Sequence, residues 1–498
     1  MPRARLAVSP RAVLRRSRPP GPLAALLGIV TIVGLCWALV VPPWQSPDEL
    51  SHYAYVESLA AGFRLPGNPH RAIFSSDETI AIEQVGASTG AFYPNALPPS
   101  WSRADYDGYL HSNQTRTFAK RSNGAGPSSA SGNPPLYYLL GAVGYLLAGG
   151  RATAYARLYA IRLEGVIWLL LTGLGAWLLA GETFGRRRVP QLLAAATTAL
   201  LPMVSFMSTS VNPDALTITE WTFALWLLAR IVNRAARLAD LSALGVVLAA
   251  AILTKAVSYA LVPPALLAVA IGIRRRPAGQ RVPGLGAAGA SALITAIPIG
   301  LWLAESRSIG GTAVTAVGTG GKSFSVRQFV SYLWQFYLPR LPFLRPLRLV
   351  PGIPAITVWL DQTVGDFGWL DVMVPAWLVL LAKILFGLLA LATIRLLWLL
   401  GRLRSARKLG LLAVYLLAGL SLLVLLHVTE YRQWLGSGAA FLQGRYILPI
   451  VSLLGLAVGL VVSRLPRSAR GPVAAILLLG LLAAQFISFA TVVHAYYV

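Results

Sequence analysis

The chain has 498 residues, of which 56% are hydrophobic and only 12% charged, and its mean hydropathy is +0.63. Too few charged side chains remain to coat a soluble protein of this size, which excludes an ordinary cytosolic enzyme and a disordered chain and makes a polytopic membrane protein the expected class. The 43 Lys and Arg against 18 Asp and Glu give a formal charge of +25; in a soluble chain that surplus would raise the question of nucleic acid, but in a membrane protein it marks cytoplasmic loops.

A span needs roughly 20 apolar residues to cross about 30 Å of hydrocarbon. A basic stretch with Arg11, Arg15, Arg16 and Arg18 precedes the first apolar run, 23–42. That run holds the single cysteine, Cys36, so an internal disulfide and a Cys-based metal site are excluded. It ends in Val41-Pro42-Pro43-Trp44 with no small-residue cleavage site, the pattern of a retained anchor. Further runs follow at 162–184, 189–208, 214–233, 239–254, 257–273, 284–304, 373–399, 409–427, 445–463 and 472–494.

One more run, 135–149, is short and follows Asn133 and Pro134. Parity decides whether it crosses. If it does not, the clusters Arg186-Arg187-Arg188, Arg230/Arg234/Arg237, Arg274-Arg275-Arg276, Arg402/Arg404/Arg407/Lys408 and Arg464/Arg467/Arg470 all fall in cytoplasmic loops. If it does, all fall outside. The positive-inside rule therefore predicts an all-α bundle of about eleven spanning helices, with the N-terminus cytoplasmic and 135–149 a re-entrant or interfacial helix on the outer side.

The expected division is a basic cytoplasmic N-terminus over 1–22, a transmembrane module over 23–463 with outer loops 43–161, 305–372 and 428–444, and a basic loop with the last span over 464–498. Loops this long are usually functional, so the active surface is expected outside. The short basic loops leave no room for a nucleotide-binding domain, and no P-loop is present. Energy for chemistry must then come from an activated substrate.

Just beyond the first span, Ser46-Pro47-Asp48-Glu49 reads as a capping box, with Ser46 as N-cap and Glu49 at N3, opening an amphipathic helix closed by Gly62. Capping leaves Asp48 and His52 unexplained. One turn apart, they form a pair suited to general-base chemistry or to holding a divalent cation. Other polar residues sit at the outer ends of spans: Arg162, Asn212-Pro213-Asp214, Lys255 and Gln443-Gly444-Arg445-Tyr446. Ionisable groups at membrane depth are costly, so they are functional candidates, with snorkelling as the plain alternative for each cation. Together they form an outer ring suited to an anionic lipid headgroup. Phe324 to Tyr337 reads as an aromatic amphipathic stretch in the headgroup layer, Asp366 and Asp371 as caps or sugar-hydroxyl contacts, and His427 with Glu430 as a pair at helical spacing.

These motifs resemble the GT-C superfamily of integral-membrane glycosyltransferases. Ser46-Pro47-Asp48-Glu49 with His52, Val211-Asn212-Pro213-Asp214-Ala215, Phe367-Gly368-Trp369-Leu370-Asp371 and Gln443-Gly444-Arg445-Tyr446 are more closely similar to the polytopic family called domain of unknown function 2142, over roughly 25–460. The resemblance implies a polyprenyl-phosphate sugar donor, a glycan or lipid acceptor, and transfer on the outer face of the plasma membrane; the placement of the arginines in cytoplasmic loops leaves no nucleic-acid partner expected. Carried over by motif, Asp48 is the catalytic base and Glu49 its support. Lys255, Arg445 and Arg162 bind the donor phosphate, and His52, Asn212, Asp214, Gln443, Tyr446 and Asp371 line the substrate site. Some GT-C enzymes use a divalent cation, Mg or Mn, and others none; no cluster in this sequence decides it. The rival readings are a lipid-linked-glycan flippase, which would place its ionisable residues near the midplane and show repeats, and a non-catalytic partner of a cell-envelope polymerase.

Overall fold

The computed structural model describes residues 19–85, 102–115, 120–308, 323–347, 353–401, 405–438 and 443–498. The basic stretch through Arg18 and the loop residues Arg402 and Arg404 lie outside the described residues. The chain is helical almost throughout, because apolar runs in hydrocarbon must satisfy their backbone groups internally. The first span is α1 (Gly21–Val40). Among the described residues of the first long connection are α2 (Glu49–Gly62), α3 (Ser76–Gln84), α4 (Arg103–Thr115) and α5 (Leu136–Leu147). Then come α6 (Ala154–Phe184), α7 (Arg188–Ala199), α8 (Pro202–Ser208), α9 (Asp214–Arg234), α10 (Leu238–Thr254), a 3-10 turn over Ala256–Leu261, α11 (Val262–Arg274) and α12 (Arg281–Ser308). The rest comprises α13 (Val326–Tyr337), α14 (Ile356–Gly365), a two-residue hairpin of β1 (Asp366–Phe367) and β2 (Val372–Met373), α15 (Ala376–Gly401), α16 (Ala406–Ser437), a 3-10 segment over Gly444–Ile450, α17 (Val451–Arg464) and α18 (Arg467–Tyr497).

Side-chain contacts fix the helix directions. Gly34 packs on Val166 and Gly173 on Leu27, so α1 and α6 are antiparallel. Thr172 bonds Thr219 and Arg234 bonds Glu182, so α9 runs parallel to α6. α10 then runs back, from Asp240 beside Arg230 to Thr254 beside Glu220. α11 returns once more, from Ser258 beside Trp221 to Arg275 beside Val232. The chain therefore reverses at Lys255. By the same reasoning Arg186 to Arg188, Arg230, Arg234, Arg237, Arg274 to Arg276, Arg407, Lys408, Arg464, Arg467 and Arg470 gather at one end of the bundle, and residues 41–49, 162, 214, 255 and 445 at the other.

Nine segments among the described residues are long and apolar enough to cross a membrane, and ten if α7 and α8, bent by 60°, count as one. The bent pair does traverse the bundle, since Gln191 bonds the Trp177 carbonyl at the basic end and Gly165 packs on Ser208 and Thr209 at the other. The eleventh expected span is α10, shorter at 17 residues, or about 26 Å, yet it too reaches from one end to the other. α5 does not. Its Gly141 meets Val56 and Ile161, and its Gly144 meets Ala160 and Ile161, so it stays with α2 beside the first turns of α6. Large apolar side chains such as Ile32, Leu388 and Phe486 face outward, as a lipid-facing wall requires.

The aromatic stretch 324–337 forms α13, which buries Tyr332 and Phe336 against α16 and leaves Val326, Val330 and Trp334 exposed. The last helix does not stand apart from the module: Gln485 accepts from Trp37 (2.7 Å), and Tyr497 donates to the Val40 carbonyl (2.9 Å).

Candidate active site

The segment linking α1 to α2 is held in an unusual backbone. Trp44 and Asp48 both have left-handed φ, 67° and 59°, conformations that persist in non-glycine residues only where surroundings enforce them. Trp44 is fully buried against Tyr53, and its carbonyl accepts from Trp369 Nε1 at 2.9 Å. The expected capping box does not form. The helix begins at Glu49 with Asp48 as N-cap, no side chain caps it, and the Ser46 hydroxyl has no partner among the described residues. Nor is α2 amphipathic, for Leu50 and His52 through Leu59 are all buried.

The reason is the direction taken by Glu49. Its carboxylate turns to Arg162, accepting from Nε at 2.8 Å and from Nη2 at 2.6 Å, and also from the Val211 N–H at 3.2 Å. Arg162 gives its remaining donors to the carbonyls of Val41 (2.5 Å) and Pro42 (2.9 Å). Both side chains are essentially inaccessible, at 0% and 1%. Glu49, expected as a catalytic group, and Arg162, expected at the donor phosphate, are here engaged with protein partners: the two clamp the end of α1 to α2, α6 and the loop before α9. Asn212 acts alike, donating to the Pro47 carbonyl (3.0 Å) while its Oδ1 accepts from the Asp214 N–H (3.0 Å).

The clamp fixes where Asp48 points. Its Oδ2 accepts from Arg445 Nη2 at 2.5 Å, and the side chain is one-third exposed. Arg445 Nε donates to Gln443 at 2.6 Å and lies 3.9 Å from Asp214, which pairs in turn with Lys255. The Tyr446 ring lies beside both cations, 4.8 Å from Lys255 Nζ and 5.3 Å from the Arg445 guanidinium carbon. Four segments far apart in sequence thus deliver Asp48, Asp214, Lys255, Gln443, Arg445 and Tyr446 to one cluster. Arg445 Nη1 is buried with no partner among the described residues.

His52 stands behind Asp48, with its Nδ1 and the Tyr138 hydroxyl 2.9 Å apart; Asn133 donates to the same hydroxyl at 3.0 Å. Burial, reinforced by Arg445 and Lys255, outweighs the Asp48 carboxylate and lowers the His52 pKa to about 4, so the imidazole is neutral at pH 7. For Asp48, burial acts upward, but Arg445, His52 and Lys255 together hold the carboxyl below its usual range. It is ionised at neutral pH.

Asp371 does not join the cluster. It closes the tight turn between β1 and β2, where Gly368 and Leu370 are left-handed, by accepting from the Trp369 N–H at 3.0 Å. Its contribution is to aim Trp369 at Trp44. Two tertiary arrangements escape sequence reasoning. His427 is caged by Tyr332 (3.1 Å), Tyr337 (2.7 Å) and the face of Trp359. Gln362 accepts from the Gly444 N–H at 2.6 Å, holding the loop that carries Arg445. In the sequence His427 stands out only as half of a pair with Glu430, and no local pattern marks Gln362.

The donors present do not fit a divalent cation. Asp48 and Asp214 face Arg445 and Lys255, Glu49 faces Arg162, and among the described residues no three His, Cys, Asp or Glu groups converge.

The profile of one family, described as "Predicted membrane protein (DUF2142)", matches residues 31–454. The chain belongs to that family. Every residue of the cluster, from Asp48 to Tyr446, falls inside the part shared with other DUF2142 proteins. Among solved structures this DUF2142 protein is similar to ArnT from Cupriavidus metallidurans in the apo state, at 16% identity over 91% of this chain and 61% of that one, with a TM-score of 0.47. It is also similar to the apo oligosaccharyltransferase of Archaeoglobus fulgidus, at 12% identity over 95% of this chain and 56% of that one, TM-score 0.48. A third is Cupriavidus metallidurans ArnT bound to undecaprenyl phosphate, at 15% identity over 95% and 75%, TM-score 0.45. The chain thus spans 61% and 56% of the length of the first two. No curated protein matches it.

Proposed function

We propose that this protein is a GT-C-type glycosyltransferase that moves a sugar from a polyprenyl-phosphate-linked donor to a glycan or lipid acceptor at the outer face of the plasma membrane, with its basic end in the cytoplasm. The observation that carries the reading is the convergence of Asp48, Lys255 and Arg445 at the bundle end opposite the basic clusters, with one guanidinium nitrogen of Arg445 unpartnered among the described residues. The motif resemblance supports it. A cavity of about 870 Å³ at the same end, lined by Leu253, Pro135, Leu139, Trp302 and Arg64 among others and by none of the cluster residues, is large enough for a sugar.

The chemistry is a single inverting displacement. The acceptor hydroxyl gives its proton to Asp48, its oxygen attacks the anomeric carbon, and the bond from that carbon to the phosphate oxygen breaks. The electron pair leaves on the lipid phosphate, where Arg445 and Lys255 stabilise it. An arriving phosphate takes up Arg445 Nη1 and draws the guanidinium from Asp48. Loss of that cation raises the Asp48 pKa, making it a stronger base only when donor is bound. No step runs through a metal ion.

The test is donor consumption by purified protein supplied with a polyprenyl-phosphate sugar. Asp48→Asn should lower turnover on the order of 10²-fold or more while thermal unfolding shows a folded protein. Full activity in that variant would sink the assignment.

A further inference from the structure

The basic end of the bundle holds a second cavity, of about 310 Å³, at the opposite pole from Asp48. It opens among the start of α1, the end of α6, the start of α7 and the end of α9. Its walls include Trp177, Trp226, Arg186, Arg188, Arg230 and Arg234, with Glu182 as the only lining carboxylate. Two of these cations are already matched: Arg234 pairs with Glu182, and Arg230 pairs with Asp240 at 2.7 Å while lying 4.7 Å over the Trp226 ring. Arg186 and Arg188 have no acidic partner among the described residues, and Arg230 Nε is buried without an acceptor.

The backbone here adds to the excess. Gly185 and Arg186 are both left-handed, with φ of 71° and 62°. Glycine adopts that conformation freely, but an arginine does so only against a steric cost. The reversal brings Arg186 into the wall beside the end of α6. α7 then starts at Arg188 with no side-chain cap, so its first N–H groups lack intrahelical partners and add partial positive charge.

The cavity therefore offers an anion site whose other walls are apolar and aromatic, at a level where the spans end. A soluble anion has no use for Trp177, Leu178 and Trp226. A phosphate esterified to a glycerol backbone and acyl chains does, and basic pockets between spans at a membrane surface suit such headgroups. We propose that this cavity holds the phosphate of an anionic phospholipid headgroup, fastening α1, α6, α7 and α9 together at the face opposite the candidate active site.

The probes are phosphatidylcholine vesicles with and without phosphatidylglycerol, and inorganic phosphate alone, with bound lipid measured by native mass spectrometry and stability by thermal unfolding. Wild-type protein should retain phosphatidylglycerol and unfold at higher temperature with it. The Arg186→Ala/Arg188→Ala variant, altered only at exposed positions, should fold equally well in phosphatidylcholine but bind phosphatidylglycerol about thirtyfold more weakly. Arg186→Lys should retain most of the binding. Equal phosphatidylglycerol binding by the double variant would overturn the proposal. So would stabilisation of the wild type by inorganic phosphate as strong as by the lipid, which would assign the site to a free anion.

Discussion

Glu49 and Arg162, 113 residues apart, close a buried two-pronged ion pair whose remaining donors hold the carbonyls that end α1. Neighbouring acids in the sequence thus part company: Glu49 serves the scaffold, and Asp48 is left facing the cluster. Because a buried charge deprived of its partner is strongly unfavourable, Arg162→Ala and Glu49→Ala should each destabilise the protein by roughly 3–5 kcal/mol. Unfolding in detergent would register this as a large fall in Tm. A variant that unfolded like the wild type would show that the clamp carries no weight.

Gly444 has no room for a side chain. A Cβ there would meet the Trp359 carbonyl and Gln362 Cβ, so Gly444→Ala should displace the loop carrying Arg445. Donor turnover is expected to fall at least tenfold, with a smaller change in Tm than in the clamp variants. The comparison of turnover with Tm across both sets separates positioning from folding.

Acid should act partly through His52. Its pKa is near 4 in the folded protein against 6.5 in the unfolded chain, so the unfolded state binds the proton first. The contribution is fully present above pH 6.5 and is lost as pH falls toward 4, on the order of 3 kcal/mol. Glu57, raised by burial to about 7, opposes this, since its neutral form favours the folded state at low pH. The His52 share therefore appears as a difference: His52→Gln should be less acid-sensitive than wild type between pH 6.5 and 4 in unfolding curves. Parallel curves would exclude it.

Orientation can be read by labelling. With Cys36 replaced, a cysteine at Lys120 should react with an impermeant reagent in intact cells, and one at Arg187 only after permeabilisation. The reverse pattern would turn the bundle over.

The spans were legible because each crossing demands a long apolar run, and the non-crossing of α5 followed from where the arginines fall. The cluster was legible in part, since Asp48, Asp214, Lys255 and Arg445 are costly at helix ends wherever they stand. The division of roles was not. Arg162 and Arg445 look alike in sequence, each opening a span, and only tertiary distances show that one is saturated by protein acceptors while the other keeps a nitrogen unpartnered. The left-handed turn at Asp48, which sends adjacent carboxylates in different directions, is enforced by distant Trp369 and Asn212 and has no glycine to announce it. The cage around His427 draws on residues 332–359, so no local window contains it.

The separation of 397 positions from Asp48 to Arg445 also sets an order in time. At about 5–20 residues per second, a ribosome makes Arg445 roughly 20–80 seconds after Asp48. The Glu49–Arg162 pair can form as soon as α6 has been inserted, whereas Asp48 waits for the tenth expected span before its cation arrives. A nascent chain therefore holds Asp48 without its ion-pair partner through most of its synthesis.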